Sequence, residues 1–201
     1  NVVVRATGDL SIDNISNFFD AKVNARFGDG GLIFGGISTG KTTIDACNHP
    51  DREPQYCKKS RSWAGNTQIK VGGSYPLWAG LAASFTFQNI SGIPQPATLT
   101  YTSAQIAPSL GRPLSGGTQT MNLGIIEPTT QFEDRYTVLD LRFSYTANIG
   151  GTRFRPTFDI YNVMNNGAAS FVFGNYNPFA WPYPFEVSTP RFIKLGVQLD
   201  F

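Results

Sequence analysis

From Arg191 to Phe201 the chain alternates: Ile193, Leu195, Val197, Leu199 and Phe201 share one side, while Lys194, Gly196, Gln198 and Asp200 share the other. Only Phe192 breaks the polar side. Successive side chains of an extended strand point to opposite faces, so this period of two predicts a strand with one apolar and one polar face. The same reading applies from Thr152 to Met164, where Phe154, Phe158 and Ile160 oppose Arg153, Arg155, Thr157 and Asp159. Between Asp134 and Asn148, Leu139, Leu141, Phe143, Tyr145 and Ala147 oppose Asp140, Arg142, Ser144 and Thr146. Further upstream, Ile69, Val71 and Tyr75 oppose Lys70 and Ser74, and Leu81, Ala83, Phe85 and Phe87 oppose Ser84, Thr86 and Gln88. Ala21, Val23, Ala25 and Phe27 oppose Lys22, Asn24 and Arg26, and the stretch from Gly31 to Ser38 shows the pattern least clearly. Seven strands are expected.

The joins between these strands alternate in length. Short turns fall at Gly28-Asp29-Gly30-Gly31, at Pro76 to Gly80 and at Asn148-Ile149-Gly150-Gly151, and long irregular segments at 39–66, 89–133 and 165–189. Loops longer than about 12 to 15 residues are uncommon in compact soluble domains. Three at one end of a meander instead match an outer-membrane barrel, with short periplasmic turns, long extracellular loops, and apolar residues turned to lipid. Hydrocarbon offers backbone N–H and C=O groups no partner, so strands cross it only as a closed, fully paired sheet. No apolar run approaches the roughly 18 to 20 residues of a spanning helix. The expected fold is therefore all-β: the C-terminal segment of an antiparallel up-and-down transmembrane β-barrel, occupying residues 1–201.

Seven strands cannot close such a barrel, and their two free edges are untenable in lipid. The chain begins at Asn1 with neither an initiator Met nor a secretion signal. It is read as a piece whose remaining strands come from a missing N-terminal part or from other chains. Aromatic residues make up 13% of the sequence, and Tyr75 and Trp78 at a short turn, with Phe201 at the end, suit a membrane–water girdle. Sixteen basic and fourteen acidic residues are scattered without a basic stripe, so no nucleic-acid partner is expected.

The run Gly35-Gly36-Ile37-Ser38-Thr39-Gly40-Lys41-Thr42 satisfies the phosphate-loop pattern. That chemistry needs a helix directly after Thr42, whose N-terminal amides hold the phosphates. The segment from Thr43 to Pro50 is a poor helix start, and no cofactor is expected. Cys47 and Cys57 lie close together in the first complete long loop, a spacing that suits a local disulfide in an oxidising compartment. With His49 and Asp51 beside them a metal site is conceivable, but the set matches no standard zinc spacing. The sole His lies in that loop and no nucleophile elbow occurs, so no catalytic residue and no enzymatic activity are expected. Asp140 and Asp159, beside Arg142, Arg153 and Arg155, read as a lumenal ladder of opposite charges before they read as an acid/base pair.

Several segments together resemble the C-terminal barrel region of TonB-dependent receptors, in particular the group with a carboxypeptidase-regulatory-like domain. They are Asn24-Ala25-Arg26-Phe27, Gly36 to Thr42, Gln105 to Arg112, Asp134-Arg135 followed by Leu139-Asp140-Leu141-Arg142, Phe158 to Asn165, and Pro190 to Phe201. The resemblance implies a large plugged barrel in the outer membrane of a Gram-negative bacterium, importing a scarce nutrient. It implies as partners outer-membrane lipid, the barrel-assembly machinery and, through the missing N-terminal part, the TonB energy-coupling complex. It also implies that Phe201 carries the assembly signal. Phe179, Trp181, Tyr183 and Phe185, in the aromatic loop from Phe171 to Phe185, are the residues expected to meet the unknown ligand, with segment 89–133 beside them. The alternatives are a structural or adhesive surface assembly, built by strand-edge pairing of repeated chains, and a soluble carbohydrate-binding sandwich.

Overall fold

A computed structural model describes residues 12–47 and 56–201. In chain order its strands are β1 (Asp13–Phe27), β2 (Gly31–Asp45), β3 (Lys58–Arg61), β4 (Gln68–Pro76), β5 (Leu81–Ile90), β6 (Thr98–Thr102) and β7 (Thr120–Gly124). β8 (Tyr136–Tyr145), β9 (Ala147–Ile149), β10 (Thr152–Tyr161), β11 (Ala169–Phe173), β12 (Tyr183–Val187) and β13 (Phe192–Asp200) come next. Two short helices, α1 (Trp63–Asn66) and α2 (Ser103–Leu110), complete the secondary structure used below.

The fold is all-β around one large antiparallel sheet in the order β1-β2-β4-β5-β8-β10-β13. β3 adds to the far end of β2, and β9 adds to β10. These are the seven expected strands in meander order. Within the described residues the sheet does not close: β1 and β13 each keep one edge without a strand partner.

Register shows how the two faces are built. Paired positions running Ala25, Ile33, Gly73, Phe85, Leu141, Ile160 and Ile193 make an apolar row across the sheet. One residue along, Arg26, Leu32, Ser74, Ser84, Arg142, Asp159 and Lys194 make a mostly polar one. On β1 this second row lies next to the strand's end at Phe27, but on β13 it lies well inside the end at Asp200. The stagger is close to one residue per strand. With about 3.3 Å per residue and 4.8 Å between strands, the strands lean by roughly 30°.

Very little of the apolar surface is covered. Among the described residues, buried apolar ones are confined to Ala46, Ala97, Val138, Ala168 and Val172, and no large side chain is completely enclosed. Leu195 is 76% exposed and Val197 63%. A water-soluble domain of this size hides residues of this kind in a core.

Glycines and rings fit together between strands. Tyr75 and Phe27 stack at 5.8 Å and crowd Gly31, the Phe34 ring lies within 2.7 Å of where a Gly72 side chain would begin, and Phe18 covers Gly40. A ring from the next strand thus shields each bare stretch of backbone. This explains why the stretch from Gly31 to Ser38 looked weak: its glycines obscure the alternation, yet β2 spans 15 residues because β1 pairs along one side and β4 and β3 along the other.

Pro156 interrupts the β8–β10 ladder, since it has no N–H to donate; β9 resumes the pairing beyond the gap. The β9–β10 turn uses Gly150 (φ 58°) and Gly151 (φ 88°), the left-handed pair that a tight hairpin requires.

The structure corrects the expectation that the long joins are irregular. The first carries the end of β2, β3 and α1, the second the β6–β7 hairpin and α2, and the third the β11–β12 hairpin. The helix α2 is fully punctuated: Thr102 and Gln105 form a reciprocal capping box, and Gly111 ends it in the left-handed conformation.

Candidate functional site

All three long joins leave the same end of the sheet, and their side chains tie them to one another. Arg61 donates to Ser91 Oγ at 2.8 Å and to the Gly65 carbonyl at 2.9 Å, while its guanidinium lies over the Phe132 ring at 5.1 Å. Burial among these groups lowers its pKa. Arg135 forks onto Asn89 Oδ1 at 2.9 and 2.7 Å and also donates to the Thr67 carbonyl at 2.7 Å. The first and second joins are thereby fastened to the rim.

The second and third are joined by backbone. Thr98 N–H donates to the Gly174 carbonyl at 2.7 Å, and Tyr176 N–H donates to the Thr98 carbonyl at 2.8 Å. The Trp181 indole donates to the Pro96 carbonyl at 3.1 Å and its ring rests 5.7 Å from that of Tyr176.

β11 and β12 carry a cluster of four rings. Phe173 lies 5.2 Å from Phe185 and 5.8 Å from Tyr183, and Phe171 lies 5.9 Å from both Phe173 and Phe185. The opposite side of β11 buries Val172, so the rings are held on the outer side by the strand's own alternation. They remain open, with Phe185 68% exposed. Edge-to-face rings of this kind offer an apolar surface to a ligand without internal rearrangement.

The four ligand-loop residues therefore occupy different positions. Tyr183 and Phe185 belong to the cluster, Phe179 stands free at the tip at 96% exposure, and Trp181 is committed to holding two loops together. Phe171 and Phe173, which open the aromatic loop expected from the sequence to meet the ligand, complete the cluster.

On the polar face, Arg142 makes a two-pronged pair with Asp159, Nε to Oδ1 at 2.6 Å and Nη2 to Oδ2 at 3.0 Å. Asp140 accepts the Asn162 N–H at 2.8 Å. Each carboxylate thus has its own hydrogen-bond partners. Phe192 stacks on Tyr161 at 4.6 Å, which accounts for an aromatic residue on that face.

The phosphate-loop run lies wholly inside β2, which continues to Asp45, so strand occupies the place of the helix such a loop needs. Cys47 and Cys57 form a disulfide, with Cα atoms 4.7 Å apart. Beside it the Cys47 N–H, and then the Lys58 ammonium, hold the Asp45 carboxyl below its usual pKa. His49 and Asp51 lie outside the described residues. Phe201 is 98% exposed beyond β13. No family model, curated protein or solved structure matches the chain.

Proposed function

We propose that this chain forms the last strands and outer loops of a TonB-dependent receptor in the outer membrane of a Gram-negative bacterium, where it takes part in nutrient uptake. The observation that carries the reading is the uncovered apolar face: seven paired strands present apolar side chains on one side and mostly polar ones on the other, with almost no core among the described residues. An exposed apolar surface of that extent marks contact with a membrane or partner. The lean of roughly 30° is close to the 35–45° tilt of membrane barrels. Tyr75, Trp78 and Phe201 would then mark the periplasmic boundary, and the tied loops would lie outside.

In this reading nutrient meets the ring cluster and Phe179, while coupling to the TonB complex belongs to a part of the protein outside this sequence. Replacing Phe179, Tyr183 and Phe185 with Ala weakens capture of the transported solute and leaves assembly intact; undiminished capture refutes the loop assignment. Phe201→Ser lowers the yield of folded protein in the outer membrane, read as the heat-modifiable band on a gel.

The free edges of β1 and β13 favour one other reading, a surface assembly of repeated chains paired edge to edge. The mass of the detergent-extracted native protein separates the two. A single polypeptide much longer than 22.0 kDa supports the receptor, and a particle of many 22.0-kDa chains supports the assembly.

A further inference from the structure

We infer that the polar face of β1, β2 and β4 holds a binding slot for a small organic anion, a carboxylate on a flat apolar body. The slot is a depression of about 560 Å³. Its floor is Gly36, where the absence of a side chain opens the sheet face; a Cβ there would run into the Ala21 carbonyl oxygen. Register sets Lys22 on one side of Gly36 and Lys70 on the other. Two strand spacings separate the lysine backbones by roughly 10 Å, a span that both ammonium groups can close over one small ligand.

Neither lysine makes an ion pair among the described residues, in contrast to Arg142 on the same face, which is matched by Asp159. One carboxylate, Asp20, also borders the slot, leaving a net positive charge. Ser38 and Gln68 supply uncharged polar groups along the same edge, and at the other edge stands the Phe34 ring, 46% exposed. Phe34 breaks the polar alternation of its face. Its ring covers Gly72 and leaves a flat apolar wall next to the two lysines. Lysines supply the charge, and the ring favours an anion with an apolar body over a bare inorganic one.

As a station for solute inside a channel, the slot rests on the receptor reading; as a binding site, it can be tested independently. The test titrates detergent-extracted native protein with terephthalate, neutral terephthalamide and inorganic phosphate, following the Gly35 and Gly36 amide signals. Terephthalate should shift these signals saturably, and the other two should bind at least about tenfold more weakly, the scale of one charge-assisted contact. Lys22→Gln with Lys70→Gln should reduce terephthalate affinity about a hundredfold, roughly tenfold per lysine, while Lys22→Arg with Lys70→Arg retains it. No saturable shift, unchanged affinity in the glutamine variant, or equal affinity for phosphate or terephthalamide overturns the slot. Extraction is scored on the preparation before titration: if the protein needs detergent but does not bind terephthalate, only the slot fails, and if it comes away in buffer without detergent, the receptor reading fails.

Discussion

Replacing Asn162 with Ala should release the third long loop while leaving the sheet paired. Asn162 is 4% exposed and adopts φ 48°, in the left-handed region that Asn tolerates better than most residues. Its side-chain amide donates to the Asn166 and Thr189 carbonyls at 2.9 and 2.8 Å and accepts the Asn166 N–H at 3.0 Å, so one side chain gathers both ends of the loop. Three such bonds at about 1 kcal/mol each, less what water replaces, plus about 1 kcal/mol for placing Ala in that conformation, give a loss of about 2–4 kcal/mol. Local opening then accelerates about 30- to 1,000-fold. Hydrogen exchange at the Ser188 amide, which donates to the Ala168 carbonyl at 2.9 Å, reads this directly. Amides between β5 and β8 serve as the reference and should stay protected, because their ladder does not involve Asn162. Asn162→Gly, which removes the side-chain bonds without the conformational cost, should fall between Ala and the native residue. Exchange at Ser188 within twofold of native in the Ala variant would refute the argument that this side chain closes the loop.

Arg142→Met leaves the Asp159 carboxylate, which is nearly inaccessible, without its two-pronged partner. It should destabilise the detergent-solubilised protein by about 1–3 kcal/mol in urea unfolding, whereas Arg142→Met with Asp159→Leu should recover part of that loss. Replacing both Cys47 and Cys57 with Ser removes a crosslink worth about 3 kcal/mol in the chain-entropy picture, and protease should cut near the Asp45–Lys58 pairing at an increased rate. Because the Asp45 carboxyl titrates below its unfolded value of 3.8, its contact with the Cys47 amide and Lys58 is complete at neutral pH. That contact should be lost as pH falls through the lowered value; a carbon-13 titration of Asp45 with a midpoint at or above 3.8 contradicts it.

Strand positions, their two faces and the short turns were legible in the sequence because the signal is local. A period of two and a Gly-Gly turn need no knowledge of distant residues, and Ile193, Leu195, Val197 and Leu199 mark their face unaided. Tertiary structure decided what depends on pairing between remote segments. β2 could be recognised at its full length only with β1, β3 and β4 beside it, because cross-strand rings and backbone partners replace the alternation that its glycines erase. The order inside the long loops had the same origin: Thr98 meets Gly174 and Tyr176, Trp181 meets Pro96, and Arg135 meets Thr67, contacts between residues far apart in sequence that leave no periodic trace. Trp181, expected from the sequence to meet the ligand, also ties two loops together, a contact set by whether a carbonyl lies within reach of its indole N–H. The sequence by itself thus determined an antiparallel sheet with one apolar and one polar face, since alternation is a property of each strand alone. Only the tertiary structure decided which strands adjoin, which charges pair and which remain free, and how the loops are held, because those arise from contacts that exist only once the chain has folded.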